Sequence, residues 1–293
     1  MTGSLIQKEV KVHTIATFPC QDGGVSFLIA HRGHSAKAPE NTLVAFRAAE
    51  EAGFSWVETD ADLLADGTVV LIHDPTFKRT AHARDRVSHV VASDLDSLDA
   101  GSWFSEEFFN VRVPRLDALV DLMIETGLNA NIELKLTDPT PDRVETYISA
   151  IGQSLQRLPA EGRSGRVIIS SFNHQLLAAF HIQLPEFPTA CLFERGRFAP
   201  FNRHSVWRDA ARFTGASFVH PHHRELTADI VRKIYEEGLR VNTWTVNSAE
   251  RAAQLASWGV EGICTDGPES LTPETAPENI GRPKNFPVKQ LSA

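Results

Sequence analysis

The chain is short of cysteine, of basic charge and of long apolar runs. It has three cysteines, Cys20, Cys191 and Cys264, with no CxxC spacing among them. An odd count argues against a full disulfide framework. Cys264 lies inside the apolar run "GICT" and reads as a small buried hydrophobe. This usage sets the expectation of a reducing, cytoplasmic setting. Acidic residues outnumber basic ones, 37 to 29, for a formal net charge of −8. Such a balance lacks the basic footprint of a nucleic-acid binder. With no stretch of about 18 or more apolar residues, no membrane span is expected. The opening "MTGSLIQKEVKVHTIATF" has no continuous apolar segment and does not read as a signal peptide. Short-period repeats and strong internal linkers are absent too.

What is present is an ordinary globular composition, 42% apolar over 293 residues, long enough to bury a sizeable core. We expect one domain over 26–270, after a mixed leader (1–25) and before a Pro-rich, extended or loosely ordered tail (271–293).

Within that domain short apolar strands alternate with helix-like segments. Strands are expected at 27–30, 55–64, 68–72, 129–135, 166–172, 188–193, 216–220, 240–246 and 262–265. Helices are expected at 41–52, 115–126, 141–157, 174–183, 226–237 and 249–257. Repeated βα units with buried strands point to a parallel α/β architecture. Nine strands are one too many for an eight-stranded barrel, but "LLADGTVV" carries a DG turn between apolar flanks. That is a hairpin signal, and the link is too short for a parallel crossover. Setting 68–72 aside as an antiparallel return strand leaves a TIM-like (β/α)8 barrel. The return brings His73 to about the level of Thr59 and Asp60. Residues 75–113 lack a clean helix–strand pattern and read as an insertion on the top face.

In such a barrel the chemistry sits at the C-terminal strand ends. Glu58 and Asp60 of "VETD" are two apart and share a strand face. In "NIELK", Asn131, Glu133 and Lys135 share one face while Ile132 and Leu134 point the other way. Glu58, Asp60 and Glu133 then converge at the barrel mouth. Crowded carboxylates resist ionising together, and a divalent cation removes the conflict. All-oxygen ligands suit Mg²⁺ or Ca²⁺ without choosing between them. His31 and Arg32 end the first strand, with Gly33 allowing a sharp bend. Two histidines, His31 and His73, can divide proton removal and donation near neutral pH. Arginine presents a planar fork to phosphate oxygens.

The set "AHRG…PENT", "VETD", "DGTVVLIHD", "GSWF", "IELK", "WTVN" and "TDGP" resembles the glycerophosphodiester phosphodiesterase family, in the family's order over about 26–270. The resemblance implies a TIM barrel, a divalent cation, and cleavage of glycerophosphodiesters to glycerol 3-phosphate and an alcohol. It implies His31 and His73 as the acid/base pair, with Glu58, Asp60 and Glu133 as metal ligands. Arg32 and Lys135 are implied as phosphate contacts. Which histidine is acid and which is base stays open, as does the attacking oxygen, which can be the neighbouring glycerol hydroxyl.

Weaker signals surround this set. Trp244 reads as a wall of the substrate pocket or as barrel packing, and Phe172 as packing. His220, His222 and His223 read as solvated loop or substrate contact rather than a second metal site. His34 reads as a solvated loop residue. The basic residues of "ERGRF" and "FNRHSVWRDAARF" read as a solvated helix face. "PENT" reads as a helix start capped by Asn41 or Thr42; capping is the preferred role for this stretch, and Glu40 can also reach into the site. Two other functions fit the composition. One is a lysophospholipase D-like lipid phosphodiesterase with an apolar groove from Trp103, Phe104, Phe108 and Phe109. The other is a non-catalytic binding protein that keeps the fold.

Overall fold

A strand that ends in a DG turn and doubles back leaves its parallel neighbours free to close on one another, and the chain does this. The computed structural model describes residues 26–197 and 206–281. In chain order these form β1 (Phe27–His31), α1 (Leu43–Glu51), β2 (Trp56–Leu63), β3 (Val69–Leu71), α2 (Lys78–Ala81) and α3 (Leu116–Thr126). Then come β4 (Asn129–Leu134), α4 (Pro141–Gln156), β5 (Val167–Ser171), α5 (His174–Gln183), β6 (Thr189–Phe193) and α6 (Val206–Thr214). The last elements are β7 (Phe218–Pro221), α7 (Ala228–Glu236), β8 (Arg240–Thr243), α8 (Ala249–Ser257) and β9 (Gly262–Thr265). The parallel strands run β1-β2-β4-β5-β6-β7-β8-β9, and β9 pairs back with β1 to close the barrel. β3 stands outside that ring, antiparallel to the upper half of β2, with Ala61 opposite Leu71 and Leu63 opposite Val69. Ile72 donates its amide to the Asp60 carbonyl at 2.9 Å, so His73 returns to the level expected.

Period-two alternation sorts the strand residues. Outward residues such as Leu28, Ala30, Val57, Ile132, Ile169, Val219 and Val241 pack against the helices in one continuous core. Inward residues Phe27, Ile29, Trp56, Ile168, Ala190, Phe218 and Cys264 form a separate apolar plug in the lumen. The polar inward residues lie above this plug, so the barrel is packed below and chemically equipped above. Local capping sets the return helices. Thr42, Thr140, Asn173, Thr227 and Ser248 each accept an amide of the helix they precede.

The insertion after His73 builds its own small core. Phe77, Val87, Val90, Leu95, Ala100 and Val113 close over Leu64, Val70 and Ile72. Residues 271–281, expected as the start of a loosely ordered tail, instead pack on the closed bottom. Leu271 and Ile280 are buried there, and Gly281 donates to the Ser26 carbonyl at 2.9 Å. Both apolar side chains find barrel surface that composition alone does not reveal. Within "FNRHSVWRDAARF", α6 buries Trp207 and Ala211, so that helix face is only partly solvated. The leader 1–25 with Cys20, residues 198–205 and the rest of the tail, 282–293, lie outside the described residues. Among the described residues no helix is long and apolar enough to cross a membrane.

Candidate active site

The β1–α1 connection turns abruptly. Arg32 takes φ +56° and Gly33 φ +82°, and a Cβ on Gly33 would lie 2.7 Å from the Ala45 backbone. This curl aims the Arg32 amide at Glu58, which accepts it at 3.1 Å. The Arg32 guanidinium reaches Glu40 at 2.8 Å and Asp60 at 3.2 Å. Asn41, also at positive φ (+54°), faces inward as a clamp on β2. Its Nδ2 donates to Asp60 at 2.8 Å, and its Oδ1 accepts from the Thr59 hydroxyl at 2.7 Å. Thr42 alone therefore caps α1. Glu40, for which the sequence leaves both capping and reach into the site open, binds Arg32 and Arg79.

Glu58, Asp60 and Glu133 converge as the strand parity predicts. All three are buried, and one oxygen of each lies within 4.8 Å of the others. Lys135 Nζ lies 2.6 Å from Glu133 and 3.1 Å from Asp60. Burial, with repulsion from Asp60 and Glu133, pushes the Glu58 carboxyl well above its ordinary range. Burial and Asp60 push Glu133 up to about 7. Burial opposes ionisation of Asp60 too, but Lys135 and Arg32 outweigh it and hold that carboxyl below its usual range. Two cationic side chains thus leave the cluster short of positive charge. A buried three-carboxylate set with this deficit fits a hard divalent cation.

The two histidines flank the cluster in one cavity of about 280 Å³. His31 Nδ1–H donates to Asp266 at 2.6 Å, and His73 Nδ1–H donates to Asp74 at 2.7 Å. Each carboxylate fixes the ring so that Nε2 is the nitrogen left for proton transfer. His31 Nε2 is 3.9 Å from Glu58. Burial lowers the His73 pKa below its ordinary value, against the pull of Asp60. The opposite wall is aromatic. Trp244 lines the cavity and meets Phe172 edge to face, with centroids 5.5 Å apart. Phe172, expected as packing, is 36% exposed at the mouth, because β5 ends one residue before it.

The structure therefore brings all eight expected side chains together: His31, Arg32, Glu58, Asp60, His73, Glu133, Lys135 and Trp244. It revises the histidines around them. His34 is buried, not solvated, and bonds the Gly267 carbonyl through Nε2 at 2.7 Å. Of the two roles expected for His220, solvated loop or substrate contact, its place is compatible with the second: it is buried and lines the cavity, because β7 extends past it. His222 and His223 stack on each other, and His222 abuts Trp244. Among the described residues, Glu58, Asp60 and Glu133 form the group suited to a metal. Phe104 packs edge to face against both Trp103 and Phe108, and Phe109 is exposed beside them.

Asp74, Asp266 and Arg79 escaped the sequence reading. Two of them left signals. Asp74 directly follows His73, and Asp266 has the inward parity of Cys264 on β9. Arg79 left none, since its partners Glu40 and Asp74 lie on two separate loops.

Residues 31–270 match the model of the glycerophosphoryl diester phosphodiesterase family. The chain is 32% identical to a glycerophosphodiester phosphodiesterase of Caldanaerobacter subterraneus subsp. tengcongensis, over 84% of this chain and 96% of that one. It is 30% identical to a glycerophosphodiester phosphodiesterase of Bacillus subtilis, over 82% and 83% respectively. A phosphodiesterase of Oleispira antarctica, solved with the product sn-glycerol-3-phosphate, superposes with a TM-score of 0.74. That pair is 27% identical over 84% of this chain and 95% of the other.

Proposed function

The chain belongs to the glycerophosphoryl diester phosphodiesterase family and is an enzyme of that class; from this premise we propose that it hydrolyses glycerophosphodiesters to glycerol 3-phosphate and an alcohol, with His31 and His73 as proton carriers. The observation that carries the reading is the pairing of two carboxylate-braced imidazoles in one cavity with a cluster of three buried carboxylates, two of which line that cavity.

Arg32 and Lys135 supply the fixed positive charge that holds the phosphate oxygens. One imidazole accepts the proton of the attacking hydroxyl at Nε2. The other donates a proton to the departing alcohol oxygen as the P–O bond breaks. The attacking hydroxyl is water, or the neighbouring glycerol hydroxyl, in which case water opens the resulting cyclic phosphate in a second step with the two imidazoles exchanging roles. Asp74 and Asp266 hold the rings through both transfers. Trp244 and Phe172 supply an apolar wall for the carbon skeleton. Glu58, Asp60 and Glu133 would hold a divalent cation, Mg²⁺ or Ca²⁺. When bound, it supplies Lewis acidity and offsets charge developing on the phosphoryl oxygens.

The test is glycerol 3-phosphate release from glycerophosphocholine, glycerophosphoethanolamine and glycerophosphoglycerol, after chelation and then with Mg²⁺, Ca²⁺ and Mn²⁺ in turn. Turnover is expected only with an added cation. Glu133→Gln should raise the cation concentration for half activation by about tenfold or more. Release of no glycerol 3-phosphate from any diester overturns the reading. Full turnover in chelator overturns the metal assignment, and strong preference for an acylated analogue moves the activity to lysophospholipids.

A further inference from the structure

α2 is a single helical turn, and it places one side chain, Arg79, between two loops of the site. Arg79 Nε and Nη2 donate to the two oxygens of Asp74 at 2.8 and 3.0 Å. Its Nη1 and Nη2 donate to the two oxygens of Glu40 at 2.6 and 2.8 Å. Each carboxylate also holds a site residue. Asp74 accepts from His73 Nδ1, and Glu40 accepts from Arg32 Nη1 at 2.8 Å. Arg32 in turn meets Asp60. The result is an unbroken chain of alternating charge, from His73 through Asp74, Arg79, Glu40 and Arg32 to Asp60. The ring of Trp103 lies 6.0 Å from the Arg79 guanidinium, so the insertion supplies both the arginine and its cover.

An isolated ion pair on a half-exposed arginine is worth little. Arg79 differs because one planar fork engages two carboxylates bidentately and fixes their separation and tilt together. A lysine ammonium in the same place matches the charge and lacks the fork. Arg79 does not line the cavity, so it acts through its partners.

We propose that Arg79 is a positioning residue, locking the His73 imidazole and the Arg32 guanidinium into one fixed geometry across the mouth of the cavity. This gives the insertion a role in the reaction, and it rests on the function proposed above. A misplacement of about 1 Å at a proton carrier costs on the order of 10²-fold in rate. The loss should therefore fall on kcat more than on KM.

The experiment compares wild type, Arg79→Ala, Arg79→Lys and His73→Ala for glycerol 3-phosphate release, with melting curves for each. Arg79→Lys and Arg79→Ala should both lose about tenfold to 10²-fold in kcat, with a smaller change in KM. Millimolar guanidinium should restore turnover to Arg79→Ala, and leave Arg79→Lys and His73→Ala unchanged. A kcat for Arg79→Lys within about twofold of wild type overturns the proposal. So does an Arg79→Ala protein that folds and ignores guanidinium. Should Arg79→Ala fail to fold, the kcat of Arg79→Lys decides alone. If wild type itself releases no glycerol 3-phosphate, the functional reading falls first, and this proposal with it.

Discussion

At the scale of single residues, the two candidate proton carriers share a design and differ in company. Both imidazoles lean on a carboxylate through Nδ1. Asp266 is otherwise bound by neutral donors, the Asn247 amide at 2.6 Å and the Ser35 hydroxyl at 3.3 Å. Asp74 is bound by the Arg79 cation, which with His73 holds its carboxyl at about 2. His34 is a strut between the loop that follows His31 and the loop that carries Asp266. Its bond to the Gly267 carbonyl leaves no room for a side chain at 267. His31→Ala and His73→Ala should each lower kcat by about 10²–10⁴-fold, the usual worth of positioned proton transfer. Melting curves close to wild type should accompany the loss. Near-normal turnover in either variant would remove that residue from the mechanism.

At the scale of elements, the β1–α1 connection does the most work per residue. Its positive φ values at Arg32, Gly33 and Asn41 aim three groups at the carboxylate cluster and still deliver Thr42 to cap α1. Gly33→Ala must either clash with the Ala45 backbone or relax the curl. A strained left-handed residue of this kind costs about 1–3 kcal/mol. The expected outcome is a lower urea midpoint with unchanged m-value, and weaker activity because the Arg32 amide leaves Glu58. An unchanged midpoint would mean the connection is softer than its contacts indicate.

At the scale of the whole molecule, the barrel is an apolar plug under a polar mouth, and histidines are caught in its wall. Burial lowers His220 to about 3, and burial with its cationic neighbours lowers His223 to about 4. An unfolded chain titrates its histidines near 6.5. As pH falls from 7 toward 5, the unfolded state therefore binds protons that the native state refuses. Stability is fully present above the unfolded value and declines as pH falls below it. For His220 alone this amounts to about 2 kcal/mol between pH 7 and 5. Glu58 and Glu133, whose carboxyls are pushed upward, act with the opposite sign in any variant. The difference between wild type and His220→Gln isolates the imidazole. Urea midpoints at both pH values, taken in chelator, should show the variant losing less on acidification. Equal losses would mean His220 is charged in the native barrel.

Strand parity is a local property with a period of two residues, so the amino-acid order alone determined which side chains enter the lumen. That is why His31, Glu58, Asp60, Glu133, Lys135 and Trp244 were legible as one set, and why the DG turn sufficed to reduce nine strands to eight. Which groups those side chains meet is not local. The carboxylate on His31 comes from Asp266, and only closure of β9 onto β1 brings the two together. The fold also buried His34, which read as solvated, against Gly267 just beyond β9. The Arg79 fork belongs to an insertion that has its own small core, and its first turn faces Glu40. Sequence determined the direction of each side chain through backbone geometry. The tertiary structure decided its partner, because partners separated by loops and by the whole circuit of the barrel are set by where the chain closes.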